Sequence, residues 1–361
     1  MIDKGKIKFR VIAIPKPGEG AVLRYGDANH DDDVEDGFAF PPIPPAAPPS
    51  RLPHLVHDMH GVKVWHLQDR KFKRPIADLR IKFDCDGVKD LPLNQGCLDL
   101  FCRLCADALV EICYLASTAE LGSSISSNDT GFSIRVYGFD DKILELAKVV
   151  MGIVTSFRGR DGKTDLPETI KDGRFKACLE SLLRAYRNTG MKASGFVTSL
   201  RLLCLRPSVR SSFSKLKAMQ DIDAATFCTI MTNLLKRMSI EAFYHGNVAR
   251  TDADDAAKLI HGAVTSNCHH LGIPKKNIPV KHVVKATYSV GLKEIIVPSL
   301  DPKEPNTAVE VYLQIGKDNL LDRCLVDLIA HILDEPFYAE LRTKQQLGYA
   351  VSCGARWTYG T

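Results

Sequence analysis

Short segments of the chain alternate between hydrophobic and polar residues, and longer segments repeat hydrophobic residues every three or four positions. Two-residue alternation predicts half-buried strands at 61–69 and in the next apolar run, which is Ala77, Leu79, Ile81 and Phe83. The Asn-Asp-Thr-Gly turn at 128–131 lies between two alternating runs and predicts a hairpin. The longer period predicts helices over about 94–120 and after Asp140 or Asp141, either of which would cap the second helix.

The strand-and-helix order then begins a second time. After a helical stretch from about 166 to 236, a strand at 239–247 and a helix at 252–266, new strands follow at GLKEIIVPSL and at Val309, Val311, Leu313 and Ile315. The next helix carries an apolar stripe, which is Leu320, Leu321, Cys324, Leu325, Leu328, Ile329, Ile332 and Leu333. AELGSSIS (119–126) then corresponds to QQLGYAVS (345–352). This correspondence indicates an internal repeat whose second copy is incomplete.

The patterns together predict an α+β protein with two homologous domains, in which strands pack under helices and the second domain is truncated. Residues 1–50 hold an acidic run and PPIPPAAPPS, which predict a linker without regular structure. The first domain is predicted at 51–275 and the start of the second at 276–361.

Composition excludes several classes of function. The net charge of +5 is spread along the chain without a basic run, so nucleic-acid binding is disfavoured. The sequence has no apolar stretch of membrane-spanning length, and the pattern of its first residues is not the one expected of a signal peptide. The eleven cysteines lie mostly in apolar helical stretches, which favours reduced thiols and a cytoplasmic location.

Residue types that bind metals occur in pairs without the spacing of a metal site. His57 and His60 lie in a proline-flanked segment, and His269 and His270 have no second ligand pair. Cys102-x-x-Cys105 falls in an apolar helix, where core packing is the favoured interpretation. His331 begins His-Ile-Leu-Asp-Glu, which lacks a second histidine four positions later. No metal ligand and no catalytic residue is therefore predicted on this chain.

The segment ELRTKQQLGYAV (340–351) places Arg342 at a helix end and Tyr349 at the start of a predicted strand. An arginine there could simply complement the helix dipole, and the tyrosine could be an ordinary strand aromatic. Alternatively, both side chains could project into one concave space. A guanidinium and a phenol could there donate hydrogen bonds to a peptide carbonyl or to an oxyanion.

The segment EPFYAELRTKQQLGYAV resembles the start of the fourth domain of the insulinase-type zinc metallopeptidases (the pitrilysin family). VKVWHLQDRKFKRP, YLASTAELG, VYGFDDKI and EAFYHGNV are similar to segments of the third domain, with Trp65, Asp69, Phe72 and Pro75 at matching positions. The resemblance spans about residue 50 to 361.

This resemblance implies four LuxS/metalloproteinase-like domains that form two halves around a chamber. It also implies a zinc ion held by His-x-x-Glu-His in the first domain, a motif that this sequence lacks. The family pattern assigns substrate binding and transition-state support to Arg342 and Tyr349. The chain is then the substrate-confining C-terminal half of a metalloendopeptidase. Its partners would be peptides and a catalytic N-terminal half in cis or in trans, and alone it would be inactive.

Three alternatives stay open from the residues. The chain could be a non-catalytic scaffold subunit, in a homo-oligomer or another assembly, although a scaffold has no need of Arg342 and Tyr349. It could be a peptide-binding module that adds a strand to an exposed sheet edge. A nucleic-acid binder ranks last and would show binding that falls steeply with salt.

Overall fold

The structure is a computed structural model that describes residues 6–13, 52–72, 74–157, 166–168, 170, 173–265, 271–272 and 293–358. Its strands are β1 (Lys6–Ala13), β2 (His54–Met59), β3 (Val62–Gln68), β4 (Ile76–Cys85), β5 (Gly122–Ser127), β6 (Gly131–Phe139), β7 (Arg237–Gly246), β8 (Leu271–Gly272), β9 (Lys293–Pro298) and β10 (Val309–Gln314). Its α-helices are α1 (Pro92–Ala108), α2 (Val110–Thr118), α3 (Ile143–Ser156), α4 (Arg174–Asn188), α5 (Ala193–Leu205), α6 (Ser212–Met219), α7 (Ala224–Lys236), α8 (Arg250–Thr265) and α9 (Leu320–Tyr338). The α+β class expected from the patterns is confirmed.

A mixed seven-stranded sheet forms the larger part of the fold, in the order β2-β3-β7-β4-β6-β5 with β8 beside β7. The β3–β7 pair is parallel, whereas β4 pairs antiparallel with both β7 and β6. Alternate residues of β4 are buried under the helices, and these are the predicted Ala77, Leu79, Ile81 and Phe83. The intervening charged residues lie on the opposite face, so within the described ranges helices cover one side of this sheet.

Aromatic side chains join the sheet to the helices. Phe132 on β6 stacks on Phe83 at 4.3 Å between ring centroids and meets Phe101 of α1 edge-on at 5.2 Å. The hairpin of β5 and β6 approaches β4 closely, because a Cβ atom at Gly131 would lie 1.9 Å from the carbonyl oxygen of Phe83. The predicted turn at 128–131 is therefore a hairpin turn that requires glycine at its last position.

A second, three-stranded sheet has the order β10-β1-β9. Strand β1 runs parallel to β10 and antiparallel to β9. It lies within residues 1–50, for which the sequence patterns indicated no regular element. The two later strands need this partner, because together they do not form a ladder with each other.

Two local expectations were wrong. Asp140 and Asp141 form a short 3-10 helix rather than a cap, and α3 begins at Ile143 without a side-chain cap hydrogen bond. The predicted helix over 94–120 is broken at Leu109 into α1 and α2. Helix α9 continues through Pro336, and its apolar stripe is exposed in the described part of the chain, with Leu320 79% and Ile332 62% accessible. A periodic stripe reports which face is apolar, not whether a neighbour is present to cover it.

Helix α5 carries the contact to the second sheet. Buried Arg201 forms an ion pair with Glu310 of β10, and its guanidinium lies 5.9 Å from the centroid of the Tyr312 ring. Ala193 and Val197 pack against Ala308 and Tyr312 beside this pair.

We expect Glu310→Gln to lower the free energy of unfolding by about 1.5–3 kcal/mol, and more than Arg201→Met does. The asymmetry arises because losing the carboxylate leaves a buried guanidinium without its counter-charge, whereas the Arg201→Met change removes the charge and keeps the packing. Urea unfolding of the two variants and of their double variant measures the difference. Equal losses in both single variants would contradict this assignment.

Candidate functional site

The uncovered face of the seven-stranded sheet forms an open groove of about 890 Å³. Aromatic Trp65 and Phe243 lie at one part of it, and the hydroxyls of Ser124, Ser126 and Ser133 lie at another. The groove arises because alternate residues of each strand point to opposite faces of the sheet, and it lies on the face opposite the helices. It is lined by side chains that can stack on or hydrogen-bond to an extended ligand.

Two arginines that line this groove, on neighbouring strands, share the carboxylate of Asp78. Asp78 accepts a hydrogen bond from Arg80 at 3.0 Å and from Arg135 at 2.7 Å. Burial alone would raise the pKa of Asp78, but the hydrogen bonds from Arg135 and Arg80 outweigh it and the pKa is lowered. The carboxylate is therefore ionised at neutral pH, and the pair of guanidiniums keeps one positive charge in excess.

The other charged residues of the groove have partners. Lys82 forms an ion pair with buried Asp84 at 2.5 Å. Glu241 accepts a hydrogen bond from the Trp65 indole nitrogen at 2.9 Å, which fixes the indole against β7. Indole, guanidinium and hydroxyl groups thus lie side by side along the groove.

Arg342 and Tyr349 are brought together by the turn that follows α9. Residues Ala339–Lys344 form a π-helical turn, and the Arg342 guanidinium lies 4.4 Å from the ring centroid of Tyr349 and 4.9 Å from that of Tyr338. Tyr349 is 86% exposed. The two side chains therefore present a cation and a phenol at one place, and the guanidinium contacts two aromatic rings.

The strand predicted to begin at Gly348 is absent from the structure. Residues 346–358 are irregular, and none of the described residues pairs with them. A strand needs a ladder partner for its backbone groups, and an apolar sequence alone does not provide one.

Metal ligands do not converge anywhere in the described residues. No group of three or more histidine, cysteine, aspartate or glutamate side chains there could hold a metal ion. The described residues therefore do not fit a zinc ion, and no catalytic step is assigned to one on this chain. His269 and His270 lie outside the described residues.

His57 and His60, considered above as ligands, instead meet a histidine of α8. His57 Nε2 and His261 Nδ1 are 2.9 Å apart, and the His60 and His261 ring centroids are 5.4 Å apart. Burial lowers the pKa of His261 below its ordinary 6.5, and the neighbouring His57 and His60 lower it further.

Acid is expected to destabilise the contact between α8 and the β2–β3 hairpin. Because the pKa of His261 is lower in the folded chain, its stabilising contribution is complete above pH 6.5 and is lost as pH falls through the folded-state pKa. We expect urea midpoints to fall more between about pH 7.5 and about pH 5.5 in the parent chain than in a His261→Gln variant. The same pH dependence in both chains would assign the effect to other groups.

Sequence reasoning missed the groove and the His261 contact. A signal for the groove was present, because Asp78, Arg80 and Lys82 alternate with the buried positions of β4. No local signal could indicate His261, since it lies 204 residues from His57 along the chain.

The fold and parts of the sequence match known proteins. Residues 40–218 match the family model described as the middle or third domain of peptidase M16. Residues 328–361 match the model described as the PQQ synthase PqqF-like C-terminal lobe, domain 4. The solved structure of pitrilysin superposes with a TM-score of 0.61 at 19% identity, over 85% of this chain and 31% of that one.

Curated relatives match over most of this chain. It is 31% identical over 312 residues to a nardilysin-like protein of Arabidopsis thaliana, covering 85% of this chain and 29% of that protein. It is 25% identical over 336 residues to insulin-degrading enzyme of Homo sapiens, covering 91% of this chain and 31% of that enzyme. The chain thus spans about three tenths of the length of these relatives.

In the described ranges, no helix has the length and apolar character needed to cross a bilayer.

Proposed function

Because this chain belongs to the insulinase-type (pitrilysin, M16) family of metallopeptidases, we propose that it forms the substrate-confining, non-catalytic part of a zinc metalloendopeptidase that degrades peptides. The observation that carries this proposal is the order of the two matches, a third-domain match at 40–218 followed by a fourth-domain match at 328–361. The proposed domains are 51–275 and 276–361, with residues 1–50 as the segment that leads into them.

Two surfaces would act on the peptide. The groove on the open face of the sheet would hold an extended segment through stacking and hydrogen bonds. Arg342 and Tyr349 would bind near the scissile bond and donate hydrogen bonds as its carbonyl oxygen becomes negative. The Tyr338 and Tyr349 rings would keep the guanidinium in one place, which reduces the entropy lost on binding.

Zinc would belong to another part of the complete enzyme. When bound there, the metal would supply an activated water at neutral pH. The described residues of this chain would contribute binding and orientation only, so we propose that the chain by itself does not hydrolyse peptides. The exposed apolar face of α9 is one surface that the remaining part of the enzyme would cover.

The cysteines support a cytoplasmic location for this protein. The ten cysteines in the described ranges form no disulfide bond with one another. Burial raises the pKa of Cys97 to about 12, so this thiol is unreactive at neutral pH. Such use of cysteine as a small hydrophobic residue is typical of reducing compartments.

The test is the intact mass of the native product together with its upstream transcript. The proposal expects either a longer chain that carries His-x-x-Glu-His, or a separate chain with that motif that co-purifies with this one. In a reconstituted mixture, an internally quenched peptide should be cleaved only when both parts are present. A native product with neither arrangement would overturn the peptidase role.

The alternative is a peptide-binding or scaffold protein without catalysis. The open groove favours binding, because its chemistry does not depend on a metal. Peptide binding by the native assembly without cleavage would establish this alternative, and binding followed by cleavage would exclude it.

A further inference from the structure

Strand β5 has no neighbour on its outer edge among the described residues. Asn128 N donates to the Gly131 carbonyl oxygen at 2.7 Å, and hydrogen-bonded positions alternate in an antiparallel pair. The backbone groups of Ser124 and Ser126 therefore point toward β6. Those of Ser123, Ile125 and Ser127 point away from the sheet and can accept another strand.

The two edge strands of the sheet, β2 and β5, differ in the features that prevent pairing with another strand. Edge strand β2 has an irregular register between Leu55 and His57 and carries the charged Asp58. Strand β5 (GSSISS) pairs in continuous register and contains no charged residue and no proline. Bulges and charges are common devices that prevent unwanted strand pairing. Their absence makes β5 the edge suited to an added strand.

Both sides of this edge offer side-chain contacts. On one side, Ser124 and Ser126 line the groove. On the other, Cys113 of α2 has its Sγ 3.1 Å from Ser123 Oγ. Its neighbours Tyr114 and Leu115 are 71% and 68% exposed. An added strand would therefore place one row of side chains in the groove and the other row beside α2.

On the face of the sheet that forms the groove, positive charge near the β5 edge favours an acidic side chain in the added strand. Arg135 lies directly opposite Ser124 in the β5–β6 register. Arg135 shares the single carboxylate of Asp78 with Arg80, and its side chain is 44% exposed. Glu241, the acidic residue that lines the groove, is hydrogen-bonded to Trp65 on β3. A carboxylate at the position next to Ser124 would thus meet uncompensated positive charge.

We propose that the outer edge of β5 binds an extended peptide as an additional strand, with acidic side chains on the groove side and apolar side chains beside α2. The backbone groups of Ser123, Ile125 and Ser127 supply the hydrogen bonds. The inference rests on the proposed function in one respect, namely that the ligand is a peptide. Its test measures binding to the chain alone, so it does not depend on a catalytic part or on Arg342 and Tyr349.

The probe is a fluorescein-labelled peptide of four Val-Glu repeats, with a Val-Lys peptide of the same length as the charge control. Fluorescence anisotropy is expected to show about two- to fivefold tighter binding of the Val-Glu peptide at low salt. Two isomeric peptides carry N-methyl groups either on every valine or on every glutamate. Since backbone groups of alternate residues face opposite edges, one isomer should lose about tenfold or more in affinity and the other little.

Substitutions at Ser124 test whether the peptide binds at the outer edge of β5. Ser124→Glu should weaken and Ser124→Lys should strengthen binding of the Val-Glu peptide, because the side chain is exposed beside Arg135. The control is Ser194→Glu, which makes the same charge change at an exposed position of α5. Absence of binding, equal effects of both N-methyl isomers, or equal effects of Ser124→Glu and Ser194→Glu would each overturn the proposal.

Discussion

In the proposed peptidase assembly, replacing Arg342 by alanine is expected to lower kcat/KM by about 10²- to 10³-fold. The guanidinium packs over the rings of both Tyr338 and Tyr349, and these contacts restrict its movement before any substrate binds. A preorganised donor of this kind loses little conformational freedom during the reaction. Arg342→Lys keeps the charge but loses the planar fork and the stacking, and it should recover only part of the activity.

Tyr349→Phe separates two roles of the tyrosine. The variant retains the ring that stacks on Arg342 but removes the hydroxyl. If the hydroxyl donates to the developing oxyanion, kcat should fall while KM changes little. If the ring only positions Arg342, Tyr349→Phe should remain fully active and Tyr349→Ala should not.

The matched control for Arg342 is Lys344→Ala. Lys344 lies on the same π-helical turn, is exposed, and forms an ion pair with Glu340 at 3.0 Å. The Lys344→Ala variant tests whether loss of any positive charge on this turn affects activity. Equal losses in the Arg342→Ala and Lys344→Ala variants would contradict a specific role for Arg342.

Replacing Phe132 by alanine is expected to lower the free energy of unfolding by about 3–5 kcal/mol. Phe132 is 0% exposed, and it joins Phe83 of the sheet to Phe101 of α1. Its loss would leave a cavity between the helices and the sheet at the strand that carries Arg135. Because a marginal domain has only about 5–15 kcal/mol of stability, the variant should be close to unfolding at 37 °C.

Phe213→Ala makes the same chemical change at a position that is 71% exposed. It should change stability by less than about 1 kcal/mol. Thermal or urea unfolding of both variants, followed by far-UV circular dichroism, measures the contrast. Similar losses in both variants would show that the aromatic cluster is not the centre of the core.

Much of the larger sheet could be predicted from local patterns. Alternation placed Leu79, Ile81 and Phe83 under the helices, and these residues are 0–1% exposed. The hairpin turn at 128–131 was also predictable, because turn residues depend on short-range backbone geometry. The same periodicity could not indicate that the described residues leave the apolar stripe of α9 exposed, since a helix carries such a stripe whether or not a neighbour packs on it.

The candidate site was likewise predictable from the sequence only in part. The motif around Arg342 and Tyr349 was visible because both residues lie within one short segment. Their mutual contact and the participation of Tyr338 depend on the π-helical turn, for which no sequence pattern was recognised. The roles of Arg342 and Tyr349 in substrate binding remain predictions.

The sequence by itself determined the apolar and polar faces of the strands and helices, the α+β class and the family to which the chain belongs. These properties follow from residue order over a few positions, where backbone geometry sets the period. Only the tertiary structure decided the groove, the His57–His261 contact and the open edge of β5. Each of these depends on strand order and register between distant residues, such as Trp65 and Glu241, which are 176 positions apart.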